Sequence, residues 1–275
     1  MKSIYTWLAF AMAVCATGGS AQASDSSAWS DEGHAAARLI AGSNDSGISS
    51  LRAGVEVTLK PGWHTYWRYP GDSGVPPRFD FSGSDNLQRA QVSYPAPHLL
   101  HDDSGQTLVY EDSVIFPLTV TPKQADKPVH LKLKLDYAIC DKLCVPAQAS
   151  AELTLAPGAS ALDPALKAAE ARVPKPASAA DIGLTVHRVN NAAKPLIAVD
   201  LKAAADQPMQ VFVEGPTPEW ALPIPVPAQG APAGHRQFGF ELDGLPPGVD
   251  PKGHFELTFT IVEGDRALEV KSHLD

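Results

Sequence analysis

The chain has 275 residues, with 22 Lys and Arg against 31 Asp and Glu and a formal net charge of −9. That acidic balance, with no basic cluster, argues against nucleic acid or an anionic membrane surface as a partner. The 25 prolines and 21 glycines, with few long helical patterns, predict an all-β chain of short strands and turns.

The chain opens with a short positive start, Met1-Lys2, then a largely apolar, uncharged run over 4–17 and the small-residue site Ala21-Gln22-Ala23. This predicts a secretory signal peptide over residues 1–23. The apolar run is shorter than the roughly 20 residues of a membrane span. A lipoprotein signal at Cys15 is the rival, and Val14 fits it poorly because such sites favour a small residue there. The expected mature protein is periplasmic and soluble, with no membrane insertion.

Residues 24–155 read as a first domain. One strand is predicted at 37–41. Val55, Val57 and Leu59 then alternate with Glu56, Thr58 and Lys60 before a Pro61-Gly62 turn and a strand over 63–69. Further strands are predicted at 78–81, 91–94, 107–110 and 114–121, then the clearest, Val129–Cys140, and its partner over 145–155. Residues 156–182, rich in Ala and Pro with a helix-like piece at 164–173, read as an interdomain linker. Alternation resumes over 183–275, at 184–189, 197–201, 209–213 and 238–242, and ends in a hairpin of 255–262 and 267–271. The strand spacing in both blocks fits β-sandwiches, the second the smaller.

Of three cysteines, Cys15 falls in the predicted signal, leaving Cys140 and Cys144 as an even pair in an exported chain. Val129, Leu131, Leu133, Leu135, Tyr137 and Ile139 share one face of their strand, and Cys140 ends the other, polar face. Past the turn Asp141-Lys142-Leu143, Val145, Ala147, Ala149, Ala151, Leu153 and Leu155 form the apolar face. A three-residue loop then sets Cys140 opposite Cys144, Tyr137 opposite Ala147 and Leu135 opposite Ala149, and a one-residue slip would ruin the match. Opposed strand positions lie close enough for a disulfide. A bridge closing so short a loop stabilises by roughly 2 kcal/mol, near the low end for disulfides. The residues leave open a redox couple, a structural bridge in a non-catalytic interaction module, or a copper-handling site. Two sulfurs do not complete a zinc site, and no metal ligand set or cofactor is predicted.

The stretch from Trp63 to Pro77 (WHTYWRYPGDSGVPP), Tyr94-Pro95-Ala96-Pro97, the 110–117 segment and Tyr137 to Pro146 (YAICDKLCVP) resemble the N-terminal periplasmic domain of the DsbD/ScsB thiol–disulfide interchange proteins. The resemblance covers about residues 29–155. It implies an immunoglobulin-like sandwich that carries electrons as a component of a protein-disulfide reductase. A membrane reductase would reduce the Cys140–Cys144 pair, and the pair would reduce thioredoxin-like or disulfide-isomerase partners in the periplasm. It further implies that Cys144 joins the partner, that Cys140 resolves the mixed disulfide, and that a cap loop shields them, here Tyr69, Pro70, Gly71, Asp72, Ser73 and Gly74. The family's membrane and thioredoxin domains are not in this sequence, so either separate proteins supply those parts, with a separate membrane electron-transfer protein as the expected donor, or the domain serves as a binding module.

Other constellations read as structural. His98, His101, Asp102 and Asp103 have metal-like residue types but are predicted to form a solvated loop beside Gly105. Trp63, Tyr66, Trp67 and Tyr69 are predicted to fill the sandwich core. No nucleophile-elbow, phosphate-loop or zinc-protease motif is present.

Overall fold

A computed structural model describes residues 24–45, 47, 49–102, 105–189, 193–202 and 208–274. The predicted signal peptide, with Cys15, and Asp103 lie outside them. The first half contains β1 (Ser30–Asp31), β2 (Ala35–Ala41), β3 (Leu51–Leu59), β4 (His64–Gly71), β5 (Arg78–Asp80) and β6 (Leu87–Val92). It continues with β7 (His98–Asp102), β8 (Gly105–Glu111), β9 (Ser113–Pro122), β10 (Val129–Cys140) and β11 (Cys144–Leu155). There follow α1 (Asp163–Ala171), β12 (Lys175–Ala177), α2 (Ala179–Ile182), β13 (Thr185–Arg188) and β14 (Leu196–Lys202). The chain closes with β15 (Met209–Glu214), β16 (Val226–Pro227), β17 (His235–Glu241), β18 (Phe255–Glu263) and β19 (Arg266–Leu274).

Two sheets build the first sandwich, in strand orders β1-β2-β3-β9-β6 and β11-β10-β4-β8-β7, with β5 also pairing with β10. The alternation that predicts β10 determines its packing. Val129, Leu131, Leu133, Leu135, Tyr137 and Ile139 are all buried, in one core with Val55, Val57, Phe116 and Leu118 of the facing sheet. Two smaller sheets, β12-β19-β18-β15 and β13-β14-β17-β16, close over a second core containing Ile197, Val199, Phe238, Phe240, Phe259 and Val270. The fold is the predicted one: nearly all-β, immunoglobulin-like, with a smaller sandwich after the first.

Two local readings change. Residues 98–102 form the edge strand β7, paired antiparallel with β8, where the sequence predicts a loop. The physical reason is Leu99-Leu100, which gives each face of a short strand an apolar anchor: Leu99 packs on the main core and Leu100 on a smaller cluster outside it. Among the described residues no group of three or more His, Cys, Asp or Glu side chains is placed to hold a metal ion.

The second concerns 156–182, read from the sequence as an interdomain linker, which packs along both halves. Leu166 of α1 is fully buried in the seam left by two glycines: a Cβ at Gly42 would fall 2.7 Å from Leu166 Cδ2, and one at Gly54 3.1 Å from Leu166 Cδ1. Arg52 donates to Asp163 at 2.6 Å and to Glu170 at 2.9 and 2.7 Å, tying both ends of the helix to β3. β12 then joins the second sandwich, parallel to β19.

Candidate redox site

The β10–β11 hairpin has the register predicted for it: Leu135 opposite Ala149, Tyr137 opposite Ala147 and Cys140 opposite Cys144. The two cysteines are disulfide-bonded, with Cα atoms 4.1 Å apart, near the roughly 4.5 Å expected of a non-hydrogen-bonded antiparallel pair. Asp141, Lys142 and Leu143 form the exposed turn between them.

The two sulfurs have different surroundings. Cys144 is exposed, flanked by Leu143 at 77% and Val145 at 37% exposure. Cys140 is 1% exposed, although it ends the face of β10 that points away from the main core. The sequence predicts that face to be open and polar. In the structure its last two members, Ala138 and Cys140, are covered by a separate small cluster with Tyr66 and Val109. Lys134 and Asp136, earlier on the same face, remain exposed. The cover comes from β4, the central strand beside β10, where His64 lies opposite Cys140.

Tyr66 is the residue the sequence misassigns. Along β4, Trp67 enters the main core and Tyr69 packs against it, as predicted. Tyr66 sits on the opposite face, is 2% exposed, and donates its hydroxyl to Cys140 Sγ at 2.8 Å. The same oxygen is 3.3 Å from Cys144 Sγ. The His64 ring meets the Tyr66 ring edge-on, with centroids 5.4 Å apart, and Thr65 donates to the Ala138 carbonyl at 2.9 Å, locking β4 to β10 beside the pair. The available signal is the period of two: 64, 66 and 68 share the face opposite to 65, 67 and 69.

The six residues predicted as a cap loop divide into two groups. Tyr69 points into the second half, its hydroxyl donating to the Leu222 carbonyl. Burial, and then the nearby carboxylate of Glu214, push its pKa above the ordinary phenol value. Gly71, at φ +83°, turns the chain, and Asp72 and Gln106 then pair in both directions, backbone N–H to carbonyl and backbone N–H to carboxylate, each at 2.9 Å. Gly74, at φ +113°, lies on the Tyr66 ring: a Cβ there would fall 2.3 Å from Tyr66 Cε1. The loop thus reaches the disulfide through Tyr66. The remaining predicted core aromatic, Trp63, packs on the main core and stacks with His34 at 4.1 Å between centroids.

This arrangement can do one kind of chemistry well. An exposed sulfur bonded to a buried one offers an incoming thiolate one accessible point of attack, and on such an attack the buried sulfur, beside a hydroxyl donor, would be the leaving group.

Comparison with known proteins agrees with this geometry. The family model described as "Thiol:disulfide interchange protein DsbD, N-terminal" matches residues 37–156, from within β2 to the end of β11 and including both cysteines. The crystal structure of the N-terminal periplasmic domain of ScsB from Proteus mirabilis is similar with a TM-score of 0.72 and 21% sequence identity, over 91% of this chain and 98% of that chain. At that identity the likeness is one of fold, and its coverage takes in both sandwiches. No curated protein matches the chain in sequence. Residues 37–156, with the Cys140–Cys144 hairpin at their C-terminal end, are therefore the part of the chain that matches the DsbD N-terminal domain family.

Proposed function

We propose that this is an exported, periplasmic thiol–disulfide interchange protein. It passes electrons from a membrane reductase domain to thioredoxin-like or disulfide-isomerase partners through Cys140 and Cys144. The observation that carries the reading is the asymmetry of the pair: Cys144 exposed, Cys140 buried and hydrogen-bonded by Tyr66. A bridge serving only stability gains nothing from an exposed sulfur.

In the loading step a thiolate of the reductase attacks Cys144 Sγ. The Cys140–Cys144 bond breaks, and Cys140 departs as a thiolate with the Tyr66 hydroxyl beside it. The second reductase thiolate then resolves the mixed disulfide, leaving this protein as a dithiol. In the unloading step the Cys144 thiolate attacks a partner disulfide. One partner sulfur leaves and takes a proton, and Cys140 then attacks Cys144 Sγ and expels the other. The partner ends as a dithiol, the Cys140–Cys144 bond is restored, and two electrons have moved. The loop 69–74 is proposed as the cap of this site, acting by holding Tyr66 in place.

Equilibration against thiol–disulfide buffers tests the reading. The expected reduction potential lies above about −300 mV, whereas a value well below it would mark a structural bridge.

A further inference from the structure

β4 does not run straight past the disulfide. Tyr66 lies opposite Val109 and Gly71 opposite Thr107, so the register against β8 shifts between them. The stretch 67–70 bulges from the ladder, and a bulge re-aims side chains. Here they are aimed at the second sandwich. The Arg68 Nε donates to the two oxygens of Glu214 at 3.0 and 3.1 Å. Its Nη2 donates to Glu214 at 2.7 Å and to Glu269 at 2.5 Å. Glu214 ends β15 and Glu269 lies in β19. The guanidinium also covers the Trp67 ring at 4.6 Å, and Trp67 packs against Phe212 of β15 with centroids 6.0 Å apart. Tyr69 donates to Leu222, and a Cβ at Gly71 would meet Ile224 Cδ1 at 3.0 Å.

These contacts hold the chain between Tyr66, which touches the sulfurs, and Gly74, which lies on the Tyr66 ring. A two-oxygen fork to one carboxylate plus a second carboxylate fixes a guanidinium in orientation as well as in charge. Burial of Arg68 opposes its charge, and the hydrogen bonds of Glu214 and Glu269 outweigh that, so its pKa is raised above the ordinary arginine value.

The geometry points to the second sandwich as a positioning module for the redox site. Through Arg68 and Tyr69 it holds the bulge in the conformation that sets the Tyr66 hydroxyl against both sulfurs and Gly74 against the Tyr66 ring. Arg68 and Tyr69 are positioning residues, and Tyr66 is the group in contact with the reacting atoms. The inference rests on the exchange reaction proposed above and assigns the second sandwich a part in it.

The test is a two-by-two set of variants of the whole chain: Glu214→Gln with Glu269→Gln, each with Tyr66 intact or with Tyr66→Phe. The readout is the rate at which dithiothreitol reduces the Cys140–Cys144 bond, with the melting temperature alongside. With Tyr66 present, loss of the two carboxylates is expected to slow reduction about fivefold, a coupling typical of groups in one network. In the Tyr66→Phe background the same change is expected to stay within about twofold, because the route to the sulfurs has already been removed. Glu256→Gln, which breaks the 2.7 Å pair with Lys271 inside the second sandwich, is expected to leave the rate unchanged. Equal or faster reduction on losing Glu214 and Glu269, or the same slowing in both backgrounds, overturns the inference even if the melting temperature falls. If the unmodified chain is reduced readily while these variants match it, only the positioning role fails. If the unmodified disulfide resists dithiothreitol altogether, the exchange function fails and the positioning role with it.

Discussion

The Tyr66 hydroxyl lies 2.8 Å from Cys140 Sγ, inside a cluster in which both residues are almost fully buried. Breaking the disulfide by attack at Cys144 leaves negative charge on Cys140, where water cannot reach it. A hydrogen bond to a charged group contributes about 1.5–3 kcal/mol, and an unpaired buried charge costs more. Tyr66→Phe keeps the ring and removes the donor. Its reduction by dithiothreitol is expected to be about tenfold slower, with little loss of thermal stability. Stopped-flow measurement of the two proteins checks this, and equal rates would remove Tyr66 from the reaction.

Gly74 makes a second test of the same contact. Its φ of +113° is one that side chains rarely adopt, and a Cβ would collide with the Tyr66 ring. Gly74→Ala is expected to destabilise the protein by about 1–3 kcal/mol. It is also expected to slow reduction of the disulfide, because the ring must shift. Gly33 serves as control: its φ is +82°, but no atom lies within 4 Å of its Cβ position. Gly33→Ala should cost stability without altering the rate.

The seam between α1 and the first sandwich should show in the pH dependence of stability. A hydrogen bond from Lys167, with that of the Ser43 backbone N–H and the contact with Arg52, holds the Asp163 carboxyl well below the usual carboxylate range. Its folded pKa is therefore lower than its unfolded value of about 3.9. Such a group contributes stability above the unfolded pKa and loses it as pH falls through the folded one. Asp163→Asn is expected to lower stability by about 1 kcal/mol at pH 7. Denaturant titrations should show the gap to the unmodified protein closing as pH is lowered below about 4.

The hairpin was legible because a period of two leaves little freedom. Once Val129 to Ile139 face inward, the three-residue turn and the alanines of β11 allow one register, and it places the cysteines opposite each other. What lay outside reach was whatever depends on a third strand. That Cys140 is buried follows from Tyr66, 74 positions away in the chain. Alternation along β4 divides its aromatics between two faces, but it cannot say that the outer face is covered. The β7 edge was missed because five residues with two adjacent leucines show no alternation. The attachment of 156–182 depends on glycines at 42 and 54 admitting Leu166, a fit that composition does not reveal. The grip of Glu214 and Glu269 on Arg68 joins elements about 150 to 200 residues apart and leaves no local trace.

The central claim is that Cys144 is the sulfur that meets the partner and Cys140 the one that resolves the exchange. Single variants Cys140→Ala and Cys144→Ala, each incubated with a disulfide-bonded thioredoxin-fold protein and analysed by non-reducing electrophoresis and mass spectrometry, measure it directly. The account expects Cys140→Ala to accumulate a mixed disulfide through Cys144 and Cys144→Ala to form little, since Cys140 is only 1% exposed. Equal trapping by the two variants, or trapping through Cys140 alone, would contradict it.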